Sequence, residues 1–254
     1  MTDLIQHRLP PTPLKAMGKQ TNIRLRCTVE NTIYYQWRHI DCIRTVPARV
    51  RQTAPTKKEA SNFGVAIKYA AVARSMFRKI MPALPPGRSL VYKTDGAFRN
   101  WLRTAPLDET APVNGIPFFD GLSFNEAVDF RRVMAVPVTI SRGDNGSLTV
   151  QWPAFNPVSD CKAPAGTRLL VVKYLAASIN MQQPGQHHVV KREFTILYVD
   201  TMIPAGKVRL ENVTAPGNIT LVAMAIYYYK DDLKSNPVNI LRWKPCGIAA
   251  GFYN

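Results

Sequence analysis

The chain has 254 residues, 46% of them hydrophobic, enough to bury a globular core and too many for a disordered tail. It carries 33 lysines and arginines against 17 acids, a net charge of +16, which draws anionic partners such as nucleic acid, an acidic protein or an anionic surface. No run of about 18 apolar residues exists to cross a membrane as a helix, and the polar, proline-broken N-terminus lacks the apolar stretch of a signal peptide, so the expected location is cytoplasmic.

The charge is unevenly spread. Residues 1–104 hold 19 lysines and arginines and 5 acids, a net of +14, whereas the remaining 14 and 12 leave +2 on residues 105–254. A solvated basic face would aid solubility, but such a concentration is also the footprint of a polyanion-binding part.

Residues 1–20 read as an irregular arm, because Pro10, Pro11 and Pro13 forbid regular ladders and Gly18 breaks the run. Residues 21–104 are expected to form a basic α+β domain. From Asn22, Ile23, Leu25, Cys27 and Val29 alternate with Arg24 and Arg26, the pattern of a half-buried strand. Glu30-Asn31 is a turn, Ile33, Tyr35 and Trp37 alternate in a second strand, and Asp41 to Val46 can make a third. This meander brings Arg24, Arg26, Arg38 and Arg44 close to Tyr34, Tyr35 and Trp37. Arginine interleaved with aromatics suits the stacking of bases and the gripping of phosphates. It is also what an ordinary half-exposed sheet looks like, and the ordinary sheet is the commoner case.

A helix is predicted over residues 56–81, opened by a Thr56/Glu59 capping box after Pro55 and stopped by Pro82. At about 100° per residue, Phe63, Ala66, Ile67, Ala70, Ala73, Phe77, Ile80 and Met81 share one broad apolar arc. Lys57, Lys68, Ser75, Arg78 and Lys79 fall on a narrow stripe outside it. The expected nucleic-acid-binding set is therefore Arg24, Arg26, Arg38, Arg44, Lys57, Lys68, Arg78 and Lys79. A second helix is expected after Gly87, capped at Thr94 or Asp95, with Phe98, Trp101 and Leu102 as its buried face.

Residues 105–134 open on a Pro/Gly-rich stretch that coincides with the charge change, and they are expected to be a linker in which Ser123 and Glu126 can cap a short helix. Residues 135–243 are strand after strand. The sequence RGDNG marks a hairpin between Val136–Ser141 and Ser147–Trp152. Strands follow at Arg168–Tyr174, His188–Tyr198, Lys207–Asn212, Ile219–Lys230 and Val238–Trp243, about seven in all at sandwich-like spacing. In the run ITLVAMAIYYYK, Leu221, Ala223, Ala225 and Tyr227 lie on one face and Val222, Met224, Ile226 and Tyr228 on the other. Residues 244–254 are expected to be a tail ending in Phe252 and Tyr253.

Asp41-Cys42-Ile43-Arg44 with Pro47, Thr56 to Phe63, Arg168 to Tyr174, and Ser235-Asn236-Pro237-Val238 together resemble a family of uncharacterised Bacteroidota proteins known only as a domain of unknown function. The similarity runs from about Gly18 to Trp243. The resemblance implies an immunoglobulin- or fibronectin-like C-terminal sandwich and supplies no catalytic residues. The fold expected is thus mainly β with a helical N-terminal part: a basic α+β head followed by an antiparallel β-sandwich.

Four cysteines without C-x-x-C spacing argue against a disulfide framework or a zinc knuckle. Cys27, His39 and Cys42 can be drawn together as a metal site, but buried thiols in a reducing compartment are the commoner arrangement. His187 and His188, adjacent on a strand, point to opposite faces and do not serve one metal. No nucleophile elbow, phosphate-cradling glycine loop, dinucleotide fingerprint or H-E-x-x-H helix occurs. The sequence is therefore read as a non-enzymatic binding protein without cofactor or metal, whose basic head engages nucleic acid or another polyanion on a sandwich scaffold. The alternative is a structural subunit of a larger assembly, a phage-related one included, self-associating through the arm and the C-terminal tail.

Overall fold

The computed structural model describes residues 17–19, 25–47, 52–80, 88–104, 113–114 and 116–253. The chain divides into two compact units, residues 1–56 and 57–254, at the start of the long helix.

The first unit is a four-stranded antiparallel sheet. Its strands are β1 (Met17–Lys19), β2 (Thr28–Val29), β3 (Thr32–Trp37) and β4 (Ile40–Thr45), in the order β1-β4-β3-β2. The strand expected from Asn22 is confined, among described residues, to Thr28–Val29, while the second and third strands stand as expected. Ile33 pairs with Arg44, Tyr35 with Cys42 and Trp37 with Ile40, so those six side chains share one face. None of the unit's described side chains is buried.

The second unit holds the remaining elements in chain order. They are α1 (Ala54–Phe77), α2 (Arg88–Thr104), β5 (Val113–Asn114), α3 (Phe130–Val133), β6 (Thr139–Arg142), β7 (Leu148–Trp152), α4 (Pro157–Asp160), β8 (Leu169–Asn180), β9 (His187–Leu197), β10 (Gly206–Leu210), β11 (Asn218–Tyr229) and β12 (Cys246–Tyr253); the first three residues of α1 precede the boundary. An antiparallel five-stranded sheet runs β5-β12-β11-β8-β9, and a three-stranded one runs β10-β7-β6.

The large sheet is covered on both faces, which is why β8 and β11 read as near-continuous apolar runs. On one face Leu221, Ala223 and Ala225 of β11 and Leu175 and Ala177 of β8 share a core with Ala66, Ala70, Ala73 and Phe77 of α1 and Phe98 and Trp101 of α2. On the other face Val222, Met224 and Tyr228 meet Leu148, Val150 and Trp152 of β7 and Leu210 of β10. The two faces of β11 are the two expected from its alternation. The DNG hairpin also stands, with Asn145 at φ 60° and Gly146 at φ 70°.

Several expectations are corrected. The long helix does not join the meander in one basic domain; it begins the second unit and packs on the sheet. It starts two residues early, because Thr53 Oγ1 accepts from Thr56 N at 3.4 Å and Thr53 acts as the cap. Glu59, freed from a capping role, instead accepts from Arg103 at 2.6 Å. Phe63 is 44% exposed and Ile67 half-buried, because the buried arc is centred near Ala73, about 80° around the helix from Phe63. Helix α2 begins well before Thr94, which is buried mid-helix and donates to Leu90 O at 2.9 Å. Ser123 donates to the carbonyls of Asn125 and Val128 instead of opening a helix, and the short helix here is α3. Val238–Trp243 is not a strand; it ends in a 3-10 turn, Leu241–Trp243. The expected linker lies partly in the sheet, since Ile116, Gly121, Leu122 and Phe124 bond to the outer edge of β12. The expected tail is β12 itself, paired with β11 on one side and β5 on the other. Most of the expected arm lies outside the described residues, although its Met17–Lys19 is β1.

Candidate polyanion-binding surface

The eight expected residues fall into two groups, and each belongs to its own unit. Arg24 lies outside the described residues. Arg26, Arg38 and Arg44 are exposed in the first unit, and Lys57, Lys68, Arg78 and Lys79 are exposed in the second.

In the first unit the arginines are held by the sheet. Arg44 lies over the Tyr35 ring at 5.3 Å on the face set by the β3/β4 register. Arg26 lies off that face, donating to Gln36 Oε1 at 2.6 Å. Arg38 and His39 form the two-residue loop between Trp37 and Ile40, at φ 47° and 68°. Tight hairpin loops of this kind need positive φ and normally take Asn-Gly, so a bulky pair here carries local strain. The loop aims the Arg38 guanidinium over the Trp37 ring at 5.1 Å, and that indole is 57% exposed. An exposed aromatic face with a cation on it is an arrangement that stacks a base and holds its phosphate. Cys27 is exposed, contrary to the expectation of a buried thiol, and Cys42 Sγ donates to Ile40 O at 3.4 Å. Among the described residues no three His, Cys, Asp or Glu side chains stand together as a metal site would require.

In the second unit the cations sort into two classes by partner. Arg74 bonds Asp95 Oδ1 at 2.5 Å and Thr94 Oγ1 at 2.6 Å, tying α1 to α2. Arg103 and Arg99 reach Glu59 at 2.6 and 3.8 Å, and Lys93 reaches Glu126 at 3.5 Å. The Arg103 hydrogen bond holds the Glu59 carboxyl below its ordinary pKa. Lys57, Lys58, Lys68, Arg78 and Lys79 have no carboxylate within salt-bridge reach among the described residues. Lys57, Lys68 and Lys79 recur every eleven residues, about three helical turns, so they drift only about 20° apart per step around the helix axis. Arg78 and Lys79 stand in the turn that follows α1, where Arg78 N still bonds Arg74 O.

No protein-family model matches the chain, and neither a curated protein nor a solved structure matches it. The assignment of the site therefore rests on its own geometry. Residues 57–104 carry 10 cations and 2 acids, so most of the basic excess of the second unit sits in its helical layer and not in the sheets. Lys58 was missed by sequence reasoning because it falls off the stripe on a helical wheel. Only the pairing pattern, in which neighbouring cations are taken by Glu59, Asp95 and Glu126, singles it out. No helix among the described residues is long and apolar enough to cross a membrane.

Proposed function

We propose that this is a non-enzymatic nucleic-acid-binding protein that holds a phosphate backbone through the cations of α1, with the arginine-aromatic face of the β3/β4 hairpin as a separate nucleic-acid contact of the other unit. The observation that supports this reading is the sorting of cations in the helical layer: Arg74, Lys93, Arg99 and Arg103 each have a carboxylate within salt-bridge reach, Glu59 being shared by the last two, while Lys57, Lys58, Lys68, Arg78 and Lys79 have none among the described residues. From Lys57 to Lys79 the spacing is about 33 Å at 1.5 Å per residue, the rise of about ten nucleotides of one duplex strand. The two facing sheets are proposed as an immunoglobulin- or fibronectin-like sandwich that serves as scaffold. The assembly-subunit alternative has less support, because the C-terminal tail, one of the two segments expected to dock on neighbouring copies, is committed to β12.

Fluorescence anisotropy with the full chain and a labelled DNA or RNA oligonucleotide tests the proposal across a salt series. Affinity is expected to fall steeply with salt and to depend little on sequence. The variant Lys68→Glu/Arg78→Glu/Lys79→Glu is expected to keep its fold, since exposed charges contribute little to stability, and to lower the salt slope by about one unit per lost contact. An unchanged affinity and slope would overturn the assignment of α1; a changed oligomeric state at constant affinity would favour the assembly reading instead.

A further inference from the structure

A cleft of about 790 Å³ opens in the second unit, away from the helical layer, with Val138 through Arg142 on one side and Ala249 through Phe252 on the other. Its volume is that of a ligand site. Successive residues of a strand point to opposite faces, so a cleft touched by Val138 and all four residues of β6 and by four consecutive residues of β12 runs along the backbone of both strands. One wall is the edge of β6, the outermost strand of the three-stranded sheet, which pairs with β7 alone. The other wall is β12 at a bulge, where Val222 pairs with Ala250 and Ala223 with Ile248, so that Ala249 is an extra residue; β12 is itself bonded on both sides, so the open strand edge is that of β6. Ile140, Phe252 and Pro117 supply apolar lining between the two walls. At one end Arg131 is held by Asp120, whereas the exposed Arg142 has no carboxylate within reach among the described residues.

We propose that this cleft binds an extended, acidic peptide segment of a partner protein as an added strand on β6. An extended chain is the ligand whose own N–H and C=O groups match an open strand edge, and its alternate side chains fit an apolar floor. The carboxylate pairs with Arg142. The inference is independent of nucleic-acid binding, because neither the cleft nor its lining includes a cation assigned to that surface.

The test uses the full chain and a capped, fluorescent peptide of about eight residues with threonine at alternate positions and, on the face between them, valines with one glutamate at the Arg142 end, because Ile140 and Arg142 are two residues apart and share a face. Saturable binding is expected, accompanied by slowed amide hydrogen exchange within residues 138–142. The same peptide N-methylated at alternate positions should bind about tenfold more weakly or worse, because the ladder needs its N–H groups. Arg142→Glu should weaken the glutamate peptide by a similar factor and favour a version with lysine in place of the glutamate. No binding, equal binding of the N-methylated peptide, or binding without protection of residues 138–142 would each overturn the proposal. The last result would mean that the basic surfaces simply collect acidic peptides.

Discussion

Phe63 and Phe77 are the same residue type on the same helix, with opposite fates. Phe77 is fully buried and packs against Phe124 at 5.3 Å, whereas Phe63 is 44% exposed and lies under the Arg99 guanidinium at 5.9 Å. Phe77→Ala is therefore expected to cost about 3–5 kcal/mol and Phe63→Ala about 1 kcal/mol or less, read by denaturant titration. Equal losses would mean that the helix is rotated about its axis, with both rings in the core. At the hairpin tip the expectation runs in the other direction. Replacing Arg38-His39 with Asn-Gly removes two bulky residues from positive φ and should stabilise the meander by about 1 kcal/mol, seen as slower amide exchange in β3 and β4. The same change removes the cation from Trp37 and should weaken nucleic-acid binding. If binding is unaffected, the tip is not part of the surface.

Two tyrosine hydroxyls fasten the C-terminal half of α1 and the turn after it to the large-sheet side. Tyr69 Oη donates to Met181 O, and Tyr227 Oη donates to Ile80 O at 2.6 Å. Burial pushes the Tyr227 hydroxyl up to about 12 and raises Tyr69, Tyr174 and Tyr228 in the same direction. Each folded-state pKa lies above the ordinary value of 10.0, so the stability these groups contribute is fully present below pH 10 and is lost as pH rises toward the folded values. Unfolding free energy should therefore fall above about pH 10, and Tyr227→Phe should make that fall shallower. A variant with the wild-type alkaline profile would show that Tyr227 ionises freely in the native state. The thiols follow the same rule: burial raises Cys161 to about 11 and Cys246 to about 12, so a thiol reagent at neutral pH should modify the exposed Cys27 first.

At the scale of the whole molecule, the last strand is central to the larger unit. β12 lies between β11 and β5, and its outer edge also receives Ile116, Gly121 and Phe124. Truncation before Cys246 should therefore leave one edge of β11 unpaired, remove Cys246, Ile248 and Phe252 from the cores and abolish cooperative unfolding, and a truncated chain that melts like the intact one would contradict this topology. The units also constrain how nucleic-acid binding is dissected. A cut after Thr104 would separate α1 and α2 from the sheet they cover, so charge reversals in the intact chain are the sound comparison.

Several strands of the second unit were legible because β8, β9, β11 and the DNG hairpin announce themselves by local pattern: period two, apolar runs and turn residues. The helix of residues 54–77 was legible too, as was most of its basic stripe, since a wheel needs only the 3.6-residue period. What that helix packs on was not, because Ala66, Ala70 and Ala73 fit any close neighbour and the sheet they meet lies a hundred residues further on. The run CGIAAGFYN looked like a tail because its small residues and glycines weaken any local strand signal. It becomes a strand because β11 and β5 pair with it from either side. Which cations have a carboxylate partner was likewise decided only in three dimensions, where Glu59 reaches across to Arg103. Local backbone preference is written in neighbouring residues, whereas burial and charge pairing depend on partners that only the folded chain brings together.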